Sequence, residues 1–205
     1  MKEKTDIYIA RHGLTEWNKI RRIQGQANNL ELSPEGVSQM DLLGSYLSRM
    51  EEKYIVVLSP MKRVQESFKI VNKHLKINKK NIFTINEMQE MSFGDFEGKL
   101  KSEVQEHSFF KERKMKKWDT KYPNGESYSD LFVRLSNSKL KKTYNKSKKN
   151  KIPLLTIGHE SINRVIPQVL VPDIESNEKA SKNRQKNNEI VILRSNRREK
   201  LEIVI

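Results

Sequence analysis

Three short apolar runs, each stopped by polar residues or a glycine, constrain the fold more than any other feature of the chain. They are Ile7 to Ala10, Tyr54 to Leu58 and Leu154 to Ile157. Uninterrupted apolar runs of this length are typical of strands that are buried on both faces of a parallel sheet. We therefore expect the three runs to form the centre of a sheet that helices cover on both sides.

Helical patterns follow the first two runs. Ser33 and Pro34 give an N-cap and a first helical residue, and apolar residues then recur at helical spacing as far as Met50. Ser59-Pro60 gives the same start signal before a second helical stripe that ends at Leu75. Because strands and helices alternate, we predict an α/β fold, a three-layer α/β/α sandwich with a mainly parallel central sheet.

The rest of the chain gives weaker patterns. These predict strands at 82–85, 189–193 and 201–205, a helix from Ser127 to about Asn145, a lysine-rich helical insertion at about 99–122, and a mobile loop at 175–188.

The length of 205 residues fits a single domain over residues 1–205 with one sizeable core. Because the chain has no cysteine, it has no disulfides, no thiolate nucleophile and no thiolate-bound zinc. The sequence begins without a charged-then-apolar leader pattern, and it has no run of about 18 apolar residues. We therefore expect a cytoplasmic protein that has no membrane partner.

The formal net charge of +14 suggests a polyanionic partner. Much of the excess, however, lies in Lys139 to Lys151, where lysines alternate with asparagine and serine as in a solvated helix end and loop. We therefore do not expect nucleic acid as a partner. A basic module that binds a polyanion without turnover is retained as an alternative.

Charged and polar residues follow each of the three central strands. They are Arg11 and His12 after the first, Ser59 after the second with Arg63 one helical turn later, and Gly158-His159 after the third. In an open parallel sheet, ligands bind beyond the carboxyl ends of the strands. The guanidinium group matches phosphate oxygens, and helix N-termini add backbone donors. The pattern therefore predicts an anion site that suits a phosphoryl group.

A histidine in such a site can attack phosphorus when a backbone carbonyl holds one ring nitrogen and the other nitrogen faces the phosphate. The leaving alkoxide then needs a proton from a carboxylic acid. Four carboxylates within residues 86–98 could supply it: Glu87, Glu90, Asp95 and Glu97. Residue chemistry alone does not choose among them.

The motifs around these residues resemble those of the histidine phosphatase superfamily, the phosphoglycerate-mutase-like proteins. The resemblance spans about residues 7 to 170 and rests on consecutive blocks: Arg11-His12-Gly13-Leu14-Thr15-Glu16-Trp17-Asn18, Gln24-Gly25, Leu32-Ser33-Pro34-Glu35-Gly36, residues 59–67, residues 90–98, Pro123-Asn124-Gly125-Glu126-Ser127 and Gly158-His159. It implies a phosphoglycerate-mutase-like fold and a phosphohistidine intermediate, with no metal or other cofactor.

The resemblance also implies a role for each site residue. His12 would be the nucleophile that accepts the phosphoryl group, with Arg11 and Arg63 as phosphate clamps and His159 as an electrostatic partner. Glu90 would be the proton donor, which resolves the choice among the carboxylates. The remaining phosphate pocket would be lined by Asn18, Gln24, Gly25 and the backbone of Glu160.

The block Glu90-Met91-Ser92-Phe93-Gly94 resembles the phosphatase branch, whereas mutases typically carry Glu-Arg-His-Tyr-Gly there. The resemblance thus favours a metal-independent phosphomonoester hydrolase acting on a small phosphorylated metabolite, with phosphoglycerate mutase activity as the alternative. Glu160 departs from the family pattern, in which glycine is commonest. We expect its side chain to point away from the phosphate, because a carboxylate there would repel the substrate. Neither the particular substrate nor the oligomeric state follows from the sequence.

Overall fold

The computed structural model describes residues 5–115, 118–172, 185–194 and 197–202. Within these residues the chain forms six strands: β1 (Ile7–Arg11), β2 (Ile55–Leu58), β3 (Ile82–Thr84), β4 (Leu154–Gly158), β5 (Glu189–Arg194) and β6 (Arg197–Glu202). The helices in the same part of the chain are α1 (Glu16–Lys19), α2 (Pro34–Met50), α3 (Lys62–Leu75), α4 (Lys101–Val104), α5 (Ser108–Met115), α6 (Tyr128–Ser136), α7 (Leu140–Asn150) and α8 (Glu160–Leu170).

The six strands form one sheet in the order β3-β2-β4-β1-β5-β6. The first four strands in this order are parallel, β5 is antiparallel to β1, and β6 is antiparallel to β5. The three apolar runs lie next to one another, with β4 between β1 and β2, and Arg11 is paired with Gly158. The prediction of a mainly parallel sheet with these runs at its centre is therefore confirmed.

Alternate side chains of the central strands pack into two separate apolar clusters. Ile7 and Ile9 belong to the cluster that includes buried residues of α6, α7 and α8. Tyr8 and Ala10 belong to the opposite cluster, which includes buried residues of α2 and α3. Because strand side chains alternate between faces, the two clusters lie on opposite sides of the sheet. The three-layer α/β/α sandwich is confirmed.

The predicted helix from Ser127 to about Asn145 is wrong in its continuity, because α6 ends at Ser136 and α7 begins at Leu140. Ser138 accounts for the break. Its hydroxyl donates to the carbonyl of Leu135 at 2.6 Å and accepts from the amide of Leu140 at 3.1 Å. A serine that bonds to nearby backbone in this way replaces helical hydrogen bonds.

The lysine-rich segment Lys139 to Lys151 is not the helix end and loop that its composition predicts. It forms α7 as far as Asn150, and Leu140, Thr143, Tyr144 and Ser147 are buried on one face. The lysines are solvated as expected, because Lys141, Lys142 and Lys149 are exposed. Four buried residues at helical spacing, rather than the mean composition, decide that this segment is a helix.

The C-terminal elements differ from their predictions in position. The last strand, β6, spans Arg197–Glu202 instead of 201–205, because it is paired with β5 from Arg197 opposite Arg194 to Glu202 opposite Glu189. Residues 203–205 lie outside the described residues, as does most of the predicted loop at 175–188. Within that loop, the described residues Gln185 and Asn187 are buried.

The predicted insertion at about 99–122 is helical in part: it contains α4 and α5, whereas residues 105–107 and 118–122 form turns and irregular backbone. Phe109 packs against Phe96 with ring centroids 5.6 Å apart, and Leu100 bridges to Arg22. The segment therefore packs on the loops at the carboxyl ends of the strands.

No helix in the described part of the chain is long and apolar enough to span a bilayer.

Candidate active site

A cavity of about 880 Å³ lies at the carboxyl ends of the central strands. Its lining includes six basic side chains, Arg11, Arg21, Arg22, Arg63, Lys101 and Arg164, and two acidic ones, Glu90 and Glu160. It also includes His12 and the aromatic side chains Phe93, Phe110, Tyr122 and Tyr128. The excess of positive charge at strand ends matches the predicted anion site.

His12 follows β1 directly and is 2% exposed. Its Nδ1 lies 2.8 Å from the carbonyl oxygen of Gly13. Because a carbonyl only accepts hydrogen bonds, Nδ1 must carry the proton, and Nε2 keeps its lone pair in the neutral ring. Burial and the nearby guanidinium groups of Arg63 and Arg11 hold the pKa of His12 well below 6.5. The ring is therefore neutral, and Nε2 is available as a nucleophile at neutral pH.

The backbone around His12 is fixed from three directions. The amide of His12 donates to the carbonyl of Gly158 at 3.0 Å, which extends the pairing of β1 with β4. The amide of Gly13 donates to the hydroxyl of Ser67 on α3 at 3.0 Å. The side chain of Asn187 donates to the carbonyl of His12 at 2.7 Å. His12 thus lies on rigid elements.

Arg63 is completely buried, although a residue in the first turn of a helix is usually exposed. Its guanidinium donates to the carbonyls of Ala27 at 2.7 Å and Gly25 at 2.8 Å. Burial lowers the pKa of Arg63 to about 10, so the group remains charged at neutral pH. A buried guanidinium held mostly by neutral carbonyls keeps its charge available to an anion.

Arg11 ends β1 and donates to the carbonyl of Gln185 at 2.9 Å. Its Nη1 also lies 3.4 Å from Oε2 of Glu160. Among the buried polar atoms of the described residues, Nε of Arg11 and Nε of Arg63 have no hydrogen-bond partner. Since buried donors are almost always paired, two such guanidinium groups beside His12 are suited to phosphate oxygens.

His159 lies behind His12 and is not part of the cavity lining. It is the N-cap residue of α8, and its ring centroid is 5.3 Å from that of His12 at an interplanar angle of 61°. Its Nε2 lies 2.8 Å from the hydroxyl of Ser59, and burial together with the charge of Arg63 lowers the pKa of His159 well below 6.5. The structure thus places His159 against the ring of His12 as a neutral ring.

Glu90 is the one carboxylate of the four candidates in residues 86–98 that lines the cavity. Its two oxygens accept from the amides of Met91 at 2.8 Å and Ser161 at 3.3 Å, and it is 6% exposed. Burial raises the pKa of Glu90 above its usual value. A raised pKa favours the protonated form of a carboxyl group, which can donate its proton.

The other three carboxylates have different surroundings. Glu97 accepts from the amides of Phe93 at 2.9 Å and Gln26 at 3.1 Å, so it joins two loops of the site. Asp95 accepts from the side chain of Asn124 at the surface. Glu87 is partly exposed, and its carbonyl accepts from Arg134 at 2.6 Å.

Arg134 on α6 supports the loop that carries Glu90, and the sequence reasoning did not single it out. Its guanidinium pairs with the carboxylate of Glu126 at 2.8 Å and donates to the carbonyls of Gln89 at 3.0 Å and Glu90 at 3.3 Å. The sequence did carry a signal for Arg134. This arginine lies in the helix that follows the Pro123 to Ser127 block and that buries Leu131 and Leu135.

Gln185 and Asn187 are further supporting residues that the sequence reasoning missed, because they fall in the segment predicted to be a mobile loop. The side chain of Gln185 donates to the carbonyl of Ile9 at 2.9 Å and accepts from Asn163 at 2.7 Å. No periodic pattern marks either residue, so the sequence carried no signal for them.

Asn18, Gln24 and Gly25 line the cavity as expected. Asn18 caps the loop after His12 by accepting from the amide of Thr15 at 3.1 Å, and Gln24 donates to the hydroxyl of Thr15 at 2.7 Å. These two side chains therefore shape the pocket wall through Thr15, and Gly25 positions Arg63 through its carbonyl.

Glu160 does not point away from the cavity, so that expectation is wrong. Its side chain lines the cavity, where Arg164 donates to it at 2.8 Å and Arg11 lies at 3.4 Å. Pairing with two guanidinium groups offsets the repulsion that a lone carboxylate would exert on a phosphate.

No three histidine, aspartate or glutamate side chains among the described residues are grouped so that they could hold a metal ion.

The chain is similar to known phosphatases and phosphoglycerate mutase-like proteins. The chain is 28% identical over 171 residues to an uncharacterized phosphatase, PhoE, of Bacillus subtilis, covering 83% of this chain and 80% of that protein. It is 29% identical over 156 residues to phosphoglycerate mutase-like protein 4 of Arabidopsis thaliana, covering 75% of this chain and 66% of that protein.

Among solved structures, the fold matches a mycobacterial glucosyl-3-phosphoglycerate phosphatase in complex with VO3, with a TM-score of 0.76 and 17% identity over 97% of this chain and 98% of that chain. The family model for the histidine phosphatase superfamily (branch 1) matches residues 7–203. The chain therefore belongs to the histidine phosphatase superfamily.

Proposed function

We propose that this protein is a metal-independent phosphomonoester hydrolase that works through a phosphohistidine on His12. The observation that carries the proposal is the pairing of a neutral His12, whose Nδ1 is held by the Gly13 carbonyl, with a buried Glu90 of raised pKa in the same cavity. One group supplies a lone pair and the other a proton, which are the two requirements for cleaving a phosphate ester.

In the first step, Nε2 of His12 attacks phosphorus and the ester P–O bond breaks. The proton of Glu90 passes to the leaving alkoxide, so an alcohol is released and Glu90 becomes a carboxylate. Arg11 and Arg63 offset the charge that spreads over the phosphoryl oxygens. The positive charge of the phosphorylated imidazole is balanced by the phosphoryl oxygens and by ionised Glu90.

In the second step, the Glu90 carboxylate takes a proton from water as the water oxygen attacks phosphorus. The N–P bond breaks, inorganic phosphate forms, and both His12 and Glu90 return to their initial protonation states. The same residue thus serves as acid and then as base.

A small phosphorylated metabolite fits the size of the site, because cavities for small ligands are typically about 300–1,000 Å³. Two relatives support this substrate class. They are named sedoheptulose 1,7-bisphosphatase in Saccharomyces cerevisiae, at 30% identity over 142 residues, and metal-independent phosphoserine phosphatase in Arabidopsis thaliana, at 25% identity over 162 residues. The Glu90-Met91-Ser92-Phe93-Gly94 block, which resembles the phosphatase branch, favours hydrolysis over mutase activity.

The test is hydrolysis of p-nitrophenyl phosphate in the presence of a chelator by the wild type, His12→Ala and His74→Ala. His74 is a matched control, because it is a histidine that pairs with Asp41 outside the cavity. We expect a loss of at least about 10³-fold for His12→Ala and little change for the control. Labelled phosphate should also be trapped on His12 in the wild type, with an alkaline quench because a phosphohistidine survives base but not acid.

Comparable rates for the wild type and His12→Ala would overturn the histidine mechanism. Rapid conversion of phosphoglycerate isomers in the presence of a bisphosphate primer, without release of phosphate, would instead identify a mutase. Salt-steep RNA binding by a protein that hydrolyses nothing would support the binding module.

A further inference from the structure

Glu160 puts a carboxylate beside the phosphate clamp. It is the first residue of α8, its side chain is 23% exposed, and its Oε2 lies 3.4 Å from Nη1 of Arg11. The backbone amide of the next residue, Ser161, donates to Glu90, the proposed proton donor. Glu160 therefore lies close both to Arg11, which the proposed function makes a phosphate clamp, and to the segment that holds Glu90.

The side chain of Glu160 is fixed in that position. Arg164, one turn along α8, donates to Oε1 of Glu160 at 2.8 Å and to the hydroxyl of Tyr128 on α6 at 3.0 Å. All three side chains line the cavity. Because two elements hold the network, a substrate meets a preformed polar wall rather than a mobile surface carboxylate.

This wall carries an ion pair, Glu160 with Arg164, whereas the other described segments of the cavity lining carry unneutralised basic side chains such as Arg21 and Arg22. Glu90 and Glu160 are the two acidic residues of the described lining, and Glu90 holds a proton in the proposed reaction. Glu160 is then the ionised acidic group of the described lining, and its charge is partly offset by Arg11 and Arg164. The basic side chains of Arg21, Arg22 and Lys101 belong to other segments of the lining.

We infer that Glu160 is a specificity-determining residue. It selects phosphomonoesters whose leaving alcohol carries further hydroxyl groups and no carboxylate or second phosphate near the ester. This inference rests on the proposed function of the same site. Hydroxyl groups can donate to the Glu160 carboxylate, whereas a second carboxylate or phosphate at that position would lie against a like charge. Specificity would thus come from repulsion of the wrong alcohol as well as from bonds to the right one.

The test compares two compounds of similar size, glycerol 3-phosphate and 3-phosphoglycerate, which differ in a CH2OH and a carboxylate group. Their inhibition constants are measured against p-nitrophenyl phosphate hydrolysis by the wild type, Glu160→Gln and Glu52→Gln. Glu160→Gln removes the charge and keeps the shape. Glu52→Gln makes the same change at an exposed residue between α2 and β2, at the opposite end of the sheet.

We expect the ratio of the inhibition constant for 3-phosphoglycerate to that for glycerol 3-phosphate to be about tenfold higher in the wild type and Glu52→Gln than in Glu160→Gln. The estimate takes like charges about 6 Å apart at an effective dielectric constant of about 40. A ratio of inhibition constants cancels any general damage to the active site, so a purely structural role for Glu160 would leave the ratio unchanged.

An equal ratio in the three proteins would overturn the inference, as would competition by neither compound. Either result would leave the proposed function intact if p-nitrophenyl phosphate is still hydrolysed through His12. Failure of the wild type to hydrolyse the aryl phosphate would overturn the proposed function, and this inference with it.

Discussion

Mild acid should destabilise this protein through the two buried histidines of its candidate active site. Burial and nearby guanidinium groups hold the pKa values of His12 and His159 well below 6.5, so both rings stay neutral in the folded state. The unfolded chain takes up a proton at each position below about pH 6.5. Stability is therefore retained above pH 6.5 and lost as the pH falls from there toward the folded-state values.

The expected loss can be estimated from this difference in proton binding. Between pH 6.5 and 5.5, each histidine should lower the free energy of unfolding by up to about 1 kcal/mol. Glu90 acts in the opposite direction, because its raised pKa makes the folded state hold a proton that the unfolded chain releases above about pH 4.5. The net loss in the wild type is therefore smaller than the sum of the two histidine contributions.

Urea unfolding at pH 8.5, 7.5, 6.5 and 5.5, followed by tryptophan fluorescence, measures this dependence. His12→Asn and His159→Gln should each reduce the loss between pH 6.5 and 5.5 by up to about 1 kcal/mol. Each substitution also changes hydrogen bonds of the replaced ring, such as the one to the Gly13 carbonyl, so the loss is measured within each variant. Above pH 7.5 the variants and the wild type should share one pH dependence. Equal losses below pH 6.5 in all three proteins would refute the reasoning.

Two further predictions concern the proton donor and the loop that carries it. Glu90→Gln should lower kcat by about 10²- to 10⁴-fold with an alkyl phosphate. The loss should be much smaller with p-nitrophenyl phosphate, because its leaving group needs no proton. Equal losses with the two substrates in steady-state assays would count against Glu90 as the acid. Gly94→Ala should lower the free energy of unfolding by about 1–3 kcal/mol in urea titrations, because Gly94 has φ +52° and a Cβ there would lie 1.9 Å from the carbonyl oxygen of Pro123. Gly98→Ala is the control: Gly98 also has a positive φ, of +80°, but its Cβ would meet nothing closer than 3.9 Å, so its loss should be the smaller one.

The sheet could be predicted because its signal is local. Runs such as Ile7 to Ala10 are apolar at every position, and only a strand covered on both faces requires this. The apolar pattern could not predict the break between α6 and α7, because that break depends on the hydrogen bonds of the Ser138 hydroxyl with backbone groups. The bounds of β6 are set by pairing with β5, which is a property of two segments.

The candidate site was predictable to a similar extent. Strand ends placed Arg11, His12 and His159 together, and the family resemblance selected Glu90 where residue chemistry left four carboxylates. Supporting residues such as Arg134 and Asn187 act through bonds to distant backbone carbonyls, and no spacing rule encodes such bonds. The side chain of Glu160 is oriented by Arg164 and Arg11 together. The expectation considered the carboxylate alone, and it therefore predicted the wrong orientation.

The hydrogen bond from Asn187 to His12 joins two residues that are added far apart in time during synthesis. The two residues are 175 positions apart, and ribosomes add about 5–20 residues per second. Roughly 9–35 s therefore pass after the incorporation of His12 before the residue that holds its carbonyl has been added. Gln185 is added just before Asn187, and β5, which pairs with the other edge of β1, directly after it. A nascent chain thus carries His12 through this whole interval before these contacts can form.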